Sequence, residues 1–211
     1  MDTHYSVPER VVDGVIHAIA IAASIAAVSV LLTLSLPSLS IGTNVAIAVY
    51  GLTLIAMFSF SAAYNHLPVP HLKPLLRRFD QAAIYLKIAG AYTPFTVLIG
   101  DVYSYIILGF VWVAALSGAA AKIGNWPLFE RFEVVVYLVL GWLSVLLIWP
   151  LVMAAPLAAV ILIFAGGCLY SIGVIFHLWE SLKFQNAIWH GFVLAAASCH
   201  YVAVAQASFA V

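Results

Sequence analysis

Residues 14–72 and 134–179 contain no Asp, Glu, Lys or Arg, and both stretches are dominated by aliphatic and aromatic side chains. A chain of 211 residues with two such runs has few folds open to it. A soluble domain carries roughly 25% charged residues. Here the charged fraction is 8% against 65% hydrophobic, with a mean hydropathy of +1.13. Such a chain cannot coat itself with a water-compatible surface, so it is an integral membrane protein. Disorder and a soluble enzyme are excluded. Eight Lys and Arg balance eight Asp and Glu, so there is no basic field for nucleic acid. The expected partners are membrane lipids.

Sheet and helix make different demands on such runs. A membrane barrel needs alternating lipid-facing and lumen-facing positions, and these runs are continuously apolar. In lipid each backbone must satisfy its own hydrogen bonds, which favours helices. A spanning helix needs about 20 predominantly apolar residues. Seven segments approximate that length: 14–36, 44–64, 80–98, 103–121, 133–149, 156–176 and 187–205. The fifth is short, and Asp80, Lys87 and Pro94 weaken the third. Pro37, Pro70, Gly100, Pro127 and Pro156 punctuate breaks between them. The fold class is therefore all-α, a polytopic bundle of seven transmembrane helices forming a single domain over residues 1–211. The acidic, polar opening MDTHYSVPER lacks the basic start of a secretory signal, so no cleavage is expected.

Charge sets the orientation. Arg10, Lys73, Arg77, Arg78, Lys122, Arg131 and Lys183 all flank the same side of the predicted bundle, and the opposite flanks carry no Lys or Arg. That asymmetry predicts a cytoplasmic N-terminus and an external C-terminus. Glycines inside the spans (Gly90, Gly109, Gly118, Gly141, Gly166, Gly167 and Gly173) are read as close helix contacts. Cys168 and Cys199 are read as small packing residues.

The few polar groups converge on the predicted cytoplasmic ends. Asp13 and His17 are four apart in the first segment. Ser61 and Asn65 are four apart in the second, with His66 next, and Asn186 and His190 are four apart entering the seventh. Spacing of four puts each pair on one helix face. Ionisable groups at membrane depth mark bundle interiors and function. Asp13 and Asp80 also suit helix N-termini, where a carboxylate is favourable without any chemistry. Lys87, seven residues after Asp80, lies about 10.5 Å deeper and is expected to face inward, toward Asp80 or another acceptor. His200 lies about 15 Å from His190 toward the outer side and reads as an interhelical hydrogen bonder.

At these residues the chain resembles the hemolysin III family, the bacterial branch of the progestin and adiponectin-receptor superfamily. The resemblance covers essentially the whole chain. RRFDQAAIYLKIAGAYTPF, residues 77–95, is similar to the family's aspartate-centred segment. ERVVDGVIHAIA resembles its first motif, with Glu9 and His17 retained and Asp13 where many relatives have Asn. SAAYNH and NAIWHGFVLAAASCHYVAV resemble its second-helix and seventh-helix motifs. The resemblance implies residence in the bacterial inner (plasma) membrane. It also implies a zinc ion near the cytoplasmic ends, held by one His of the second helix and two of the seventh, assisted by a Ser and an Asp.

Ser61, Asp80 and His190 match that pattern, which implies catalytic roles for Ser61 and Asp80 and metal contacts for Asp80 and His190. Asn65 and Asn186 occupy the positions of the other two His ligands, and amides are weak ligands for zinc. The departure points to altered or absent zinc binding, with Lys87 compensating Asp80. Membrane sensing or homeostasis through the inner polar cavity is the favoured function. Metal-dependent hydrolysis of lipid amides and membrane disruption or pore formation are the alternatives.

Overall fold

The computed structural model describes residues 5–126 and 132–210. Ser6 opens the first helix as an N-cap in a reciprocal box. Its backbone N–H and hydroxyl both donate to Glu9 Oε2, at 2.8 and 2.6 Å. Helix α1 (Val7–Ser35) follows, then α2 (Ile41–His66), whose Ser40 cap accepts from the Thr43 N–H at 3.1 Å. A 3-10 turn, Pro70–Leu72, leads into α3 (Lys73–Ile99), which ends at Gly100 in the left-handed conformation, φ 72°. Asp101 caps α4 (Val102–Ile123). The fifth span comprises α5 (Glu133–Trp142), a 3-10 stretch (Leu143–Leu147) and α6 (Ile148–Ala154). Helices α7 (Leu157–His177) and α8 (Gln185–Phe209) complete the bundle. Seven spans are long and apolar enough to cross a membrane, and no strand occurs among the described residues.

The third helix starts seven residues before the predicted 80–98 segment. Hydropathy marks the apolar middle of a span, whereas Pro74 in the first turn and the helix-favouring 75–79 stretch set where winding begins. Neither Asp80 nor Asp13 is therefore an N-cap: Asp80 sits two turns into α3, and Ser6 and Glu9 already cap α1 ahead of Asp13. The fifth span is longer than predicted and is broken. A 3-10 segment in mid-membrane disturbs the backbone ladder, and freed carbonyls need donors. The Tyr92 hydroxyl donates to Leu140 O at 2.8 Å and is 2.9 Å from Gly141 O, serving both carbonyls at the break.

Glycines draw four helix pairs together. A Cβ on Gly51 would lie 2.3 Å from Val28, one on Gly90 2.1 Å from Thr53, and one on Gly118 2.5 Å from the Tyr85 ring. These positions join α1 to α2, α2 to α3 and α3 to α4. Gly166, against His200, and Gly173, against Phe192, do the same for α7 and α8. Gly109 and Gly141 have nothing within 4 Å, and Gly167 meets Trp142 at ordinary contact distance, so the packing role expected for them does not hold. Cys168 and Cys199 are both free and half-buried.

Two cores result. One joins α1, α2 and α8 around Ile47, Tyr50, Leu54 and Val204; the other joins α3 and α4 around Tyr85 and Val111. Outside them, exposed Leu52, Phe110 and Val113 present apolar surface to lipid. Arg10, Lys73, Arg77, Arg78, Lys122 and Lys183 fall at one end of the bundle, the end where α1 begins. Arg131, which the sequence groups with them, lies outside the described residues.

Candidate functional site

The same end of the bundle carries the polar cluster. Spacing of four aligns Asp13 with His17 on α1, Ser61 with Asn65 on α2, and Asn186 with His190 on α8. The three faces meet around the Asp13 carboxylate, which is 3% exposed. Its Oδ1 accepts from His190 Nδ1 at 2.6 Å. Its Oδ2 lies 2.9 Å from His66 Nε2, off the N–H line, and 3.5 Å from His17 Nδ1, and accepts from Asn186 Nδ2 at 3.4 Å. Two donors of α8, His190 and Asn186, compensate the burial of this carboxylate, with the His17 and His66 rings of α1 and α2 beside it.

Ser61 is the second hub. Its Oγ is 3.1 Å from His17 Nε2 and 3.3 Å from His190 Nε2. His17 Nδ1 donates to the Asp13 backbone carbonyl at 2.9 Å, and His190 Nδ1 donates to the Asp13 carboxylate. Both Nδ1–H groups being committed, a neutral ring can only accept at Nε2. Ser61 has one proton to give. With both rings neutral it donates to only one of them at a time. Asp80, half-buried on α3, faces both Ser61 and His190.

His66 and Asn65 engage the cluster from opposite sides. A step of about 100° separates neighbours on a helix. That step turns His66 onto Asp13 of α1, while Asn65 turns to α8, where its Oδ1 accepts from Asn186 Nδ2 at 3.0 Å. Glu9 stands at the rim: its Oε1 accepts from the Phe184 N–H at 2.8 Å and ties the start of α1 to the loop before α8. Phe184 is left-handed there, φ 60°.

Lys87, 3% exposed, reaches neither Asp80 nor any other carboxylate among the described residues. Its ammonium donates to His200 Nδ1 at 3.3 Å and lies 4.6 Å from the Tyr170 ring centroid. His200 Nε2 in turn donates to Ile163 O at 3.3 Å. The expected compensation of Asp80 by Lys87 is thus replaced by a separate Lys87–His200–Tyr170 group.

A cavity of about 1810 Å³ connects the two groups. Asp13, Ser61, Asp80 and His190 line one part, Lys87 and His200 another, with apolar side chains of α3, the fifth span and α7 between them. Several contributors carry only weak sequence signals. Gln185, 4% exposed, accepts from Tyr5 OH at 2.7 Å and donates to His177 O at 2.5 Å, closing the rim between α7 and α8. Burial pushes the Tyr5 phenol above its ordinary pKa, with the nearby Asp13 charge adding to the effect. Lys122 pairs with Glu133, which also accepts from Gln81 at 3.3 Å, anchoring the start of α5 to α3 and α4. A lone charge at a helix end gave the only hint of that pair.

The zinc arrangement implied by the family does not fit these residues. Asn65 and Asn186 replace two of its imidazoles and are hydrogen-bonded to each other. Asp13, His17 and His66 do bring potential ligand atoms within 4.8 Å of one another. Tetrahedral zinc with bonds of about 2.0–2.1 Å spaces its ligand atoms about 3.3 Å apart. The Asp13–His190 and Asp13–His66 separations, 2.6 and 2.9 Å, are those of groups contacting each other directly.

Residues 5–201 match the haemolysin-III related family. The chain is 32% identical to a hemolysin-3 homolog of Bacillus subtilis (strain 168), covering 95% of this chain and 94% of that protein. It is 33% identical to hemolysin-3 of Bacillus cereus, covering 94% and 91%. A more distant relative is the human monocyte to macrophage differentiation factor, 29% identical over 74% of this chain and 67% of that one. By sequence, helix count and polar motifs together, the chain belongs to the haemolysin-III related family of multi-pass membrane proteins.

Proposed function

We propose that this protein binds a single-chain membrane amphiphile and serves membrane sensing or homeostasis through that binding. The polar head meets the Asp13–Ser61–His190 cluster at the cytoplasmic end, and the acyl chain occupies the apolar body of the cavity. The observation that carries this reading is the cavity itself. Sites for drug-sized ligands occupy about 300–1,000 Å³, and 1810 Å³ with a polar end and an apolar body suits a lipid. The broken fifth span supports it, because a mid-membrane 3-10 segment is a natural hinge for lateral admission.

The test uses Gly141, which lines the cavity and has nothing within 4 Å of an added Cβ. Gly141→Phe therefore fills the cavity rather than colliding with a neighbour. Wild-type protein in nanodiscs is expected to bind a fluorescent lyso-lipid saturably, and Gly141→Phe to weaken binding at least about ten-fold, the equivalent of about 1.4 kcal/mol. Equal binding by the two proteins contradicts the proposal.

A further inference from the structure

We infer that Ser61, His190 and Asp13 form a metal-independent serine relay that cleaves an acyl ester of an amphiphile seated in the cavity. The inference rests on the amphiphile-binding reading and adds chemistry to it. Ser61 Oγ, His190 Nε2, His190 Nδ1 and Asp13 Oδ1 lie in sequence, with contacts of 3.3 and 2.6 Å. This is the order of a nucleophile, a base and the carboxylate that orients the base. Resting nucleophile–base contacts are often looser than those of the reacting complex. All three residues are buried yet line the cavity, so an acyl carbonyl seated there can reach Oγ.

Asn65 and Asn186 act as a frame, Asn65 donating to Ser61 O at 2.9 Å and Asn186 linking Asn65 to Asp13.

The bonds balance without oxidant or metal. Ser61 Oγ bonds to the acyl carbon while its proton passes to His190 Nε2. The ester C–O bond breaks, and the departing alcohol takes that proton. Water then adds to the acyl carbon, giving a proton to His190, and the Ser61–acyl bond breaks. Ser61 recovers its proton from His190 and a carboxylic acid is released. His17 Nε2 lies 3.1 Å from Oγ on the other side and holds the serine hydroxyl between the two rings.

The experiment treats full-length protein in nanodiscs with a long-chain alkyl fluorophosphonate and maps the adduct by mass spectrometry. The expected result is a covalent adduct on Ser61, absent in Ser61→Ala and unchanged by a zinc chelator. Asp13→Asn should slow its formation roughly a hundred-fold. Ser61→Cys with a thiol-directed alkyl reagent checks that the probe reaches position 61. Thiol labelling of the Ser61→Cys variant with no phosphonylation of Ser61 in the wild type, or labelling abolished by the chelator, overturns the relay. A Ser61→Cys variant that stays unlabelled at that position overturns it also, since no acyl group could then reach Oγ. Lyso-lipid binding by the wild-type protein separates the two proposals: binding without phosphonylation of Ser61 removes the relay alone, phosphonylation without saturable binding removes the amphiphile reading, and loss of both removes both.

Discussion

Replacing Asp13 with Ala removes the carboxylate at which α1, α2 and α8 meet. The largest single loss is the 2.6 Å bond from His190 Nδ1, a charge-assisted contact at a site 8% exposed. Hydrogen bonds to charged groups contribute about 1.5–3 kcal/mol. The Asn186 contact at 3.4 Å and the His17 contact at 3.5 Å are longer and add less. His66, whose side chain is 28% exposed, can turn to cavity water, so its contact is discounted. The sum is about 2–4 kcal/mol. Asp13→Asn keeps one oxygen for His190 but faces a second donor toward His66 and Asn186, and should cost about 1–3 kcal/mol. Steric-trap unfolding in bicelles measures both. Asp13→Ala within about 0.5 kcal/mol of wild type, the level of an ordinary surface change, would refute a carboxylate hub.

Gly118→Ala, which places a methyl 2.5 Å from the buried Tyr85 ring, should destabilise by about 1–3 kcal/mol, while Gly109→Ala, with nothing within 4 Å, should be neutral or slightly stabilising in the same unfolding assay. His200→Ala should destabilise more than Lys87→Met, because the first strands a buried ammonium and the second removes it; the double variant should then recover part of the His200→Ala loss. Paired Asn65→His and Asn186→His substitutions should create a zinc site measurable by calorimetry at a ratio of about one per chain.

The helix count and the depth of the polar groups were legible because both are local properties. Hydropathy runs and spacing of four need no knowledge of neighbouring helices, and they place Asp13, Ser61 and His190 at one level. The partners of those groups depend on how helices cross. His66 reaches Asp13 because α1 packs on that side of α2, information absent from the SAAYNH motif. Lys87 and His200 both lie well past the polar end on neighbouring helices, so their depth is legible, but which acceptor the ammonium meets depends on how α3 crosses α8. Gly109 and Gly51 look alike in sequence, yet only the helix opposite decides that Gly51 meets Val28 and Gly109 meets nothing. Tyr5 and Gln185 are 180 residues apart, and no local pattern announces such a contact. The break in the fifth span has only a faint local cue, Gly141 and Pro150 on either side of a 3-10 segment that itself carries neither residue type.

The central claim is that Asp13, rather than a zinc ion, organises the polar end of the bundle. Metal content, measured by elemental analysis on protein purified without chelators or affinity metals and washed extensively, tests it directly. Zinc is expected far below one per chain, with Asp13→Ala destabilised all the same. About one tightly held zinc per chain, with an X-ray absorption spectrum giving three nitrogen ligands, would contradict it and reassign His17, His66 and His190 as the metal's ligands.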